Sequence, residues 1–375
     1  MSGRVVRVGV DADGYRERRN ITGLPFRSVE HVRVHGALAP LAWLHYVVRR
    51  RPAFGLQHRY VELLRPRVDL LHFFFSISYG KTPWFVTTSS WIPRSGKLDR
   101  SGLERLAAPA CRGLIAMSRH AWDVQRSVLR HNADLLPAIE AKATVLHPAQ
   151  EPLVGAWEEK PAPTDGLVDC VFVGKQFFLK GGDTLLRVAG RLIDRGAPLR
   201  LHVVSSLEHR DFTTGATEAD VAAARAEMAR RDGRIVFHGR LPNADVLALL
   251  RRARVALLPT IADTYGYVVL EAQAAGCAVI STDVQALAEI NSDACGWLVR
   301  VPRNELGRAL RRDAPERAAF AAALESGLEA ALDDALARPD EVRRRGTAAL
   351  ARIRAEHDPH AAAARLETLY AEALR

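Results

Sequence analysis

The chain has 375 residues, 48% of them hydrophobic and 26% charged, with a formal net charge of +10. This length carries two domains with ordinary cores, and no apolar run reaches the roughly 18 residues that a membrane span needs. Four dispersed cysteines (Cys111, Cys170, Cys277, Cys295) form no CxxC pair, which argues against a zinc site or a disulfide framework and for buried thiols.

The charge is uneven. Residues 1–150 hold 23 Lys/Arg against 11 Asp/Glu, a balance of +12, and residues 151–375 hold 30 against 32. A basic first half is expected to attract an anionic membrane surface, an anionic acceptor or nucleic acid, or else simply carries solvated arginines. The apolar run 5–10 is too short for a secretory leader and is flanked by Arg4 and Arg7, so a cytoplasmic location is expected.

In chain order, residues 5–10 read as a strand and 11–20 as a polar loop. Helical patterns follow over 37–51 and 56–64, then a buried-type strand over 68–75. Short strands are expected over 85–88 and 113–117, a helix over 120–130 and a strand over 143–146. The aperiodic stretch 148–166, rich in proline and acids, is the best boundary in the chain. Alternation then restarts: strands over 168–173, 199–205, 235–238, 255–259 and 278–282, with helices over 182–195, 218–230, 244–252 and 267–275. The tail 316–375 reads as Ala/Arg/Leu-rich helix. Such alternation predicts an α/β protein with two Rossmann-like doubly wound domains facing across a cleft. The expected division is 1–150, 151–357 and a final helix 358–375 packing back toward the first domain.

The richest stretch runs from Thr260 to Ile290, TIADTYGYVVLEAQAAGCAVISTDVQALAEI. A strand ends at Pro259, a polar loop follows, and Gly266 opens an apolar helix. The start of a helix carries partial positive charge, so this loop suits a diphosphate, with Gly266, Tyr267 and Val268 nearest to it. Asp263 lies in the loop, and Glu271 lies about two turns on, where a carboxylate can accept bonds from paired ribose hydroxyls. A second loop, in VFVGKQFFLKGGDTLL (171–186), carries Gly174, Lys175 and Lys180 between a strand and a helix. Two lysines there can stabilise a leaving phosphate, or stand as surface lysines. His72 closes the apolar run after Asp69-Leu70-Leu71 and is either a functional group or a packed core histidine.

These stretches resemble the group 1 (family 4) retaining glycosyltransferases of the two-Rossmann GT-B fold. That family carries an acidic residue, seven residues and a Glu, matched by Asp263 and Glu271, and then a Gly-x-Pro/Ala-Val-Ile strand, matched from Gly276. Its Gly-Arg, four residues, Lys-Gly pattern is matched in spacing by Gly174, Lys175, Lys180 and Gly181, with Lys where Arg is usual. Asp69 to His72 fits its Asp-x-x-His. The resemblance is strong over about 168–300 and weak elsewhere.

It implies transfer of a hexose-type sugar from a nucleotide-sugar to a glycan or lipid-linked acceptor, with retention of configuration and no cofactor or metal. The nucleotide-sugar would sit in the second domain and the acceptor in the first. Asp263, Lys180, Lys175 and His72 would serve catalysis; Glu271, Gly266, Tyr267, Val268 and Gly174 would hold the donor. A part in cell-envelope polysaccharide or glycolipid synthesis follows, with peripheral contact at the inner, anionic membrane face. A hydrolase or epimerase of the same fold and a non-catalytic nucleotide-sugar-binding protein remain as alternatives. No P-loop, HExxH or GxSxG is present, and no RNA-binding signature supports a nucleic-acid partner.

Overall fold

A computed structural model describes residues 4–51, 53–62, 66–95, 99–163, 165–211 and 213–375. The chain divides into two compact units, Met1–Ala149 with His357–Arg375, and Gln150–Glu356.

Unit 1 is built on β1 (Val6–Val10), β2 (Val29–Arg33), β4 (Leu70–Phe74), β6 (Trp84–Thr88), β7 (Cys111–Ala116) and β8 (Ala143–Val145), while β3 (Arg59–Tyr60) and β5 (Ile77–Ser78) form a separate pair. The main sheet is parallel, in the order β2-β1-β4-β6-β7-β8. Strand β4 is buried along its whole length, as expected of a run covered on both faces. Helices α1 (Tyr15–Glu17), α2 (Ala39–Arg49), α3 (Phe54–Gln57), α4 (Arg100–Ala107), α5 (Arg119–Leu129) and α6 (Leu136–Glu140) connect the strands. The start of α5 is set by Ser118, whose Oγ accepts from the Ala121 N–H at 3.0 Å.

Two expectations need correction here. Residues 11–20 are not a plain loop: α1 continues into a π-helical turn, Arg18–Thr22, braced by Thr22 Oγ1 donating to Asp13 at 2.6 Å. No helix spans 56–64; α3 stops at Gln57 and the chain extends into β3, because Tyr60 packs on Phe73 with ring centroids 4.7 Å apart. Residues 63 and 64 of that expected helix lie outside the described residues.

Unit 2 repeats the architecture with β9 (Val168–Val173), β10 (Leu199–Val204), β11 (Ile235–Gly239), β12 (Val255–Leu258), β13 (Ala278–Thr282) and β14 (Gly296–Val299), all parallel, in the order β11-β10-β9-β12-β13-β14. Its helices are α7 (Gly182–Asp194), α8 (Glu218–Arg230), α9 (Asn243–Arg252), α10 (Tyr267–Ala274), α11 (Leu287–Ile290), α12 (Ala314–Ala337) and α13 (Pro339–Glu356). The strand β14 escapes sequence reading because it is short and opens on Gly296. That glycine is required by packing: a Cβ there would stand 1.9 Å from the Val279 carbonyl oxygen.

The tail is three helices rather than one, since Pro339 and Pro359 each open a new one. The last, α14 (Pro359–Ala373), belongs to unit 1. Its Tyr370 is fully buried, and Glu367 accepts from the Arg27 and Ser28 N–H groups at 2.8 and 2.7 Å.

Candidate functional site

In each sheet the strand order reverses at one point, between β1 and β4 and between β9 and β12. Loops at the carboxyl ends of such a strand pair diverge and leave a crevice, the general ligand position of doubly wound sheets.

In unit 2 the two loops are residues 174–181 and 259–266. They are bonded to each other: the Ile261 N–H donates to the Leu179 carbonyl at 2.9 Å, and Thr260 Oγ1 to the same oxygen at 3.1 Å. Gly181, at φ +76°, lets the backbones touch, because a Cβ would sit 1.9 Å from the Pro259 carbonyl oxygen. Within the first loop, a Cβ on Gly174 would meet the Lys180 stem at 2.9 Å.

Lys180 is thereby carried across to the other loop. Its Nζ donates to Asp263 Oδ2 at 2.7 Å and to the Ala262 carbonyl at 2.9 Å. Both side chains are mostly buried, 17% and 21% exposed. Asp263 is also held locally: Oδ1 accepts from the Tyr265 N–H at 3.1 Å, and its own N–H donates to Gln285 Oε1 at 2.8 Å. Gly266, at φ +88°, turns the chain into α10, with Tyr267 and Val268 half-buried in its first turn. Glu271 lies on the same helix, buried, with Oε1 accepting from Asn243 Nδ2 at 3.2 Å. Asn243 begins α9, one residue before the expected start, and carries no sequence signal that marks it out.

Lys175 does not join this group in the same way. It is 67% exposed and faces Glu208 at 3.4 Å. His72 belongs to unit 1. It is completely buried, with Nδ1 2.6 Å from Tyr370 Oη and Nε2 2.8 Å from Thr87 Oγ1. Burial pushes its pKa down to about 3, so it is a neutral ring, and its hydrogen bonds tie α14 to β4 and β6.

The crevice of unit 1 holds Asp11, whose loop the topology places at the cleft, together with residues that the sequence did not single out. Ser76 Oγ donates to Asp11 Oδ2 at 2.7 Å, joining the ends of β1 and β4. Asp11 keeps some surface because it lines a cavity of about 120 Å3 with His35, Gly36, Ala39 and Tyr60. Its carboxyl is nonetheless deep in the protein, and burial raises its pKa to about 6 against the Ser76 bond, which lowers it. Phe75 follows β4 at φ +70°, a strained setting for a bulky residue. The Arg94 guanidinium lies 4.5 Å from the centroid of its ring, and that of Arg16 lies 5.5 Å away. Two residues before Arg94, the Gln125 side chain bonds both the N–H and the carbonyl of Ile92, at 2.7 and 3.0 Å. His58, edge-on to Phe75, is pushed down to about 4 by burial and by the two arginines.

Residues 168–312 match the family described as glycosyl transferases group 1. That stretch lies wholly within the second unit. The D-inositol 3-phosphate glycosyltransferase of Rhodococcus erythropolis is 31% identical over 143 residues, 37% of this chain and 31% of that protein. The 2-deoxystreptamine glucosyltransferase of Streptomyces kanamyceticus is 29% identical over 174 residues, 46% of this chain and 43% of that protein. The matched stretch thus spans less than half the length of these relatives. The fold extends further. HepE of Anabaena, solved in complex with UDP, superposes with a TM-score of 0.59 over 98% of this chain and 100% of its own, at 13% identity. The fold class is therefore the expected GT-B type, two Rossmann-like units in one chain. Lys180, Asp263, Gly266 and Glu271 all fall within the matched residues 168–312. Among the described residues no helix is long and apolar enough to cross a membrane.

Proposed function

We propose that the chain transfers a hexose-type sugar from a nucleotide-sugar to a glycan or lipid-linked acceptor, with retention of configuration. The observation that carries this is the Lys180–Asp263 pair at the strand reversal of unit 2, beside the Gly266 turn into α10. The anionic diphosphate would take the place of Asp263 as a partner of Lys180 and lie against the start of α10. Asp263, released, would orient the sugar. Glu271, held by Asn243, would accept bonds from the ribose hydroxyls. Lys175 would add charge after leaving Glu208. Lys180 and the helix start would supply the positive charge, so that no metal is needed. The bond between the anomeric carbon and the diphosphate oxygen breaks, the acceptor oxygen bonds to that carbon, and its proton passes to the leaving phosphate.

The acceptor would be seated by unit 1, at Asp11, Ser76 and the two arginines on Phe75. A protein with such a pair of sites suits cell-envelope polysaccharide or glycolipid synthesis, in the cytoplasm at the inner membrane face. Thermal shift against nucleoside diphosphates and nucleotide-sugars tests the donor half, since a ligand of the folded state raises Tm by mass action. One nucleotide class is expected to raise Tm, and Glu271→Ala to abolish most of that rise. No shift with any of them overturns the reading. Steady donor consumption without acceptor would indicate a hydrolase or epimerase, and a shift with no turnover under any acceptor a binding protein.

A further inference from the structure

The helix α2 is an anomaly of unit 1. Its sequence is APLAWLHYVVR, and of its eleven residues only Ala42 is buried. Leu41, Trp43, Leu44, Tyr46, Val47 and Val48 are 38–68% exposed, and Phe54 just beyond is 50% exposed. These seven are most of the exposed large apolar side chains among the described residues. A soluble surface rarely carries so many contiguous apolar groups unless something covers them.

The charge around the helix selects what covers it. From His31 to Tyr60 the chain has five arginines and no Asp or Glu. Arg49, Arg50 and Arg51 lie at the carboxyl end of α2 and are exposed. Apolar side chains including Trp and Tyr, closed by a cationic triplet, match the boundary of an anionic bilayer, where rings sit at headgroup level and arginines meet lipid phosphates. An eleven-residue helix is roughly 16 Å long, against a hydrocarbon core of about 30 Å, so it lies in the interface and does not span. We infer that α2 is a docking helix that inserts its apolar side chains into an anionic membrane surface, with Arg49–Arg51 on the headgroups. Ala39, the first residue of α2, also lines the Asp11 cavity. The docked helix would therefore hold that cavity beside the lipid headgroups, where a lipid-linked acceptor presents its polar end. The docking itself does not depend on the transfer reaction.

The test is flotation of the whole chain with vesicles of phosphatidylcholine alone and with 30% phosphatidylglycerol added, without donor or acceptor. Binding to the anionic vesicles is expected to be at least tenfold stronger and to weaken with salt. Brominated lipid is expected to quench the protein's fluorescence, and Trp43→Phe to remove that quenching. Replacing Leu41, Trp43, Leu44 and Val48 by Ser should cut binding at least tenfold with Tm and the nucleotide shift unchanged; Arg49, Arg50 and Arg51→Gln should remove the anionic preference. The inference is overturned if the folded protein ignores both kinds of vesicle, or if the serine variant still binds. It is also overturned if α2 instead mediates a dimer that sedimentation detects without lipid and the serine substitutions dissolve. Failure here with an intact nucleotide shift would leave the transferase reading standing.

Discussion

The strand reversals of the two units are the same place in the same architecture, filled in opposite ways. In unit 2 the β9 and β12 loops meet through an ion pair, Lys180 to Asp263, and each charge offsets the cost of burying the other. In unit 1 the β1 and β4 loops meet through Ser76 and a carboxyl, Asp11, whose pKa stands at about 6. Cations are nearby, yet Arg16 and Arg94 lie over the face of Phe75. The crevice of unit 2 is neutralised internally, by Lys180 against Asp263. That of unit 1 instead sets its carboxyl against a hydroxyl and its two arginines against an aromatic ring.

The comparison breaks most readily at Lys180. Lys180→Met is expected to lower turnover of the nucleotide-sugar by about 10²–10³-fold, the usual cost of removing a donor aimed at developing charge. A loss below tenfold would show that Lys180 does not touch the leaving phosphate.

Asp11→Asn sharpens the contrast from the other side. The folded protein holds the Asp11 proton up to about pH 6, whereas an ordinary aspartate releases it near 3.8. Between these values the folded state binds more protons than the unfolded, so this group's contribution to stability falls as pH rises and is lowest above about 6. The Asn variant should match the parent in denaturant unfolding at pH 4 and be more stable at pH 8. The gain is at most about 3 kcal/mol, less whatever water in the cavity screens. Equal stability at both pH values would mean that the carboxyl is solvated. If Asp11 serves the acceptor, the stabilised variant will also have lost transfer.

Tyr370→Phe removes a partner of His72 and leaves a buried ring nitrogen without a bond, costing about 1–3 kcal/mol of stability while turnover per folded molecule is unchanged. Lost turnover at full stability would instead give His72 a chemical part. Lys175→Met should change stability by less than about 0.5 kcal/mol, as at other exposed positions, and should weaken nucleotide binding by less than Lys180→Met does, because Lys175 must first leave Glu208. Unchanged affinity by titration would take Lys175 off the diphosphate.

Unit 2 was far easier to read from sequence than unit 1, for physical reasons. Its strands are largely apolar, β12 wholly so as VALL, and its helices begin at plain signals such as the Thr217 cap of α8 and Gly266 before α10. Lys180, Asp263 and Glu271 are close enough to turn residues to be marked by spacing. Unit 1 defeats this reading at β2, whose alternation of charged and apolar residues, VEHVR, suits an edge strand but resembles a loop. It does so again where α3 gives way to β3, because pairing with β5 overrides the helical pattern. Its crevice is assembled from positions 11, 16, 58, 75, 76 and 94, with no shared motif. The pairing of Asn243 with Glu271 is likewise tertiary. Lys175 shows the converse: a motif position can keep its spacing while its side chain turns to a neighbour, Glu208, that the motif does not contain.

The final helix gives the molecule an unusual order of assembly. Unit 2 occupies one continuous stretch, complete once Glu356 has been made, whereas unit 1 waits for residues up to Tyr370 to bond His72 and bury Phe85. The later-encoded unit can therefore fold from one uninterrupted stretch, whereas the earlier one closes only when α14 reaches its seat against β4 and β6.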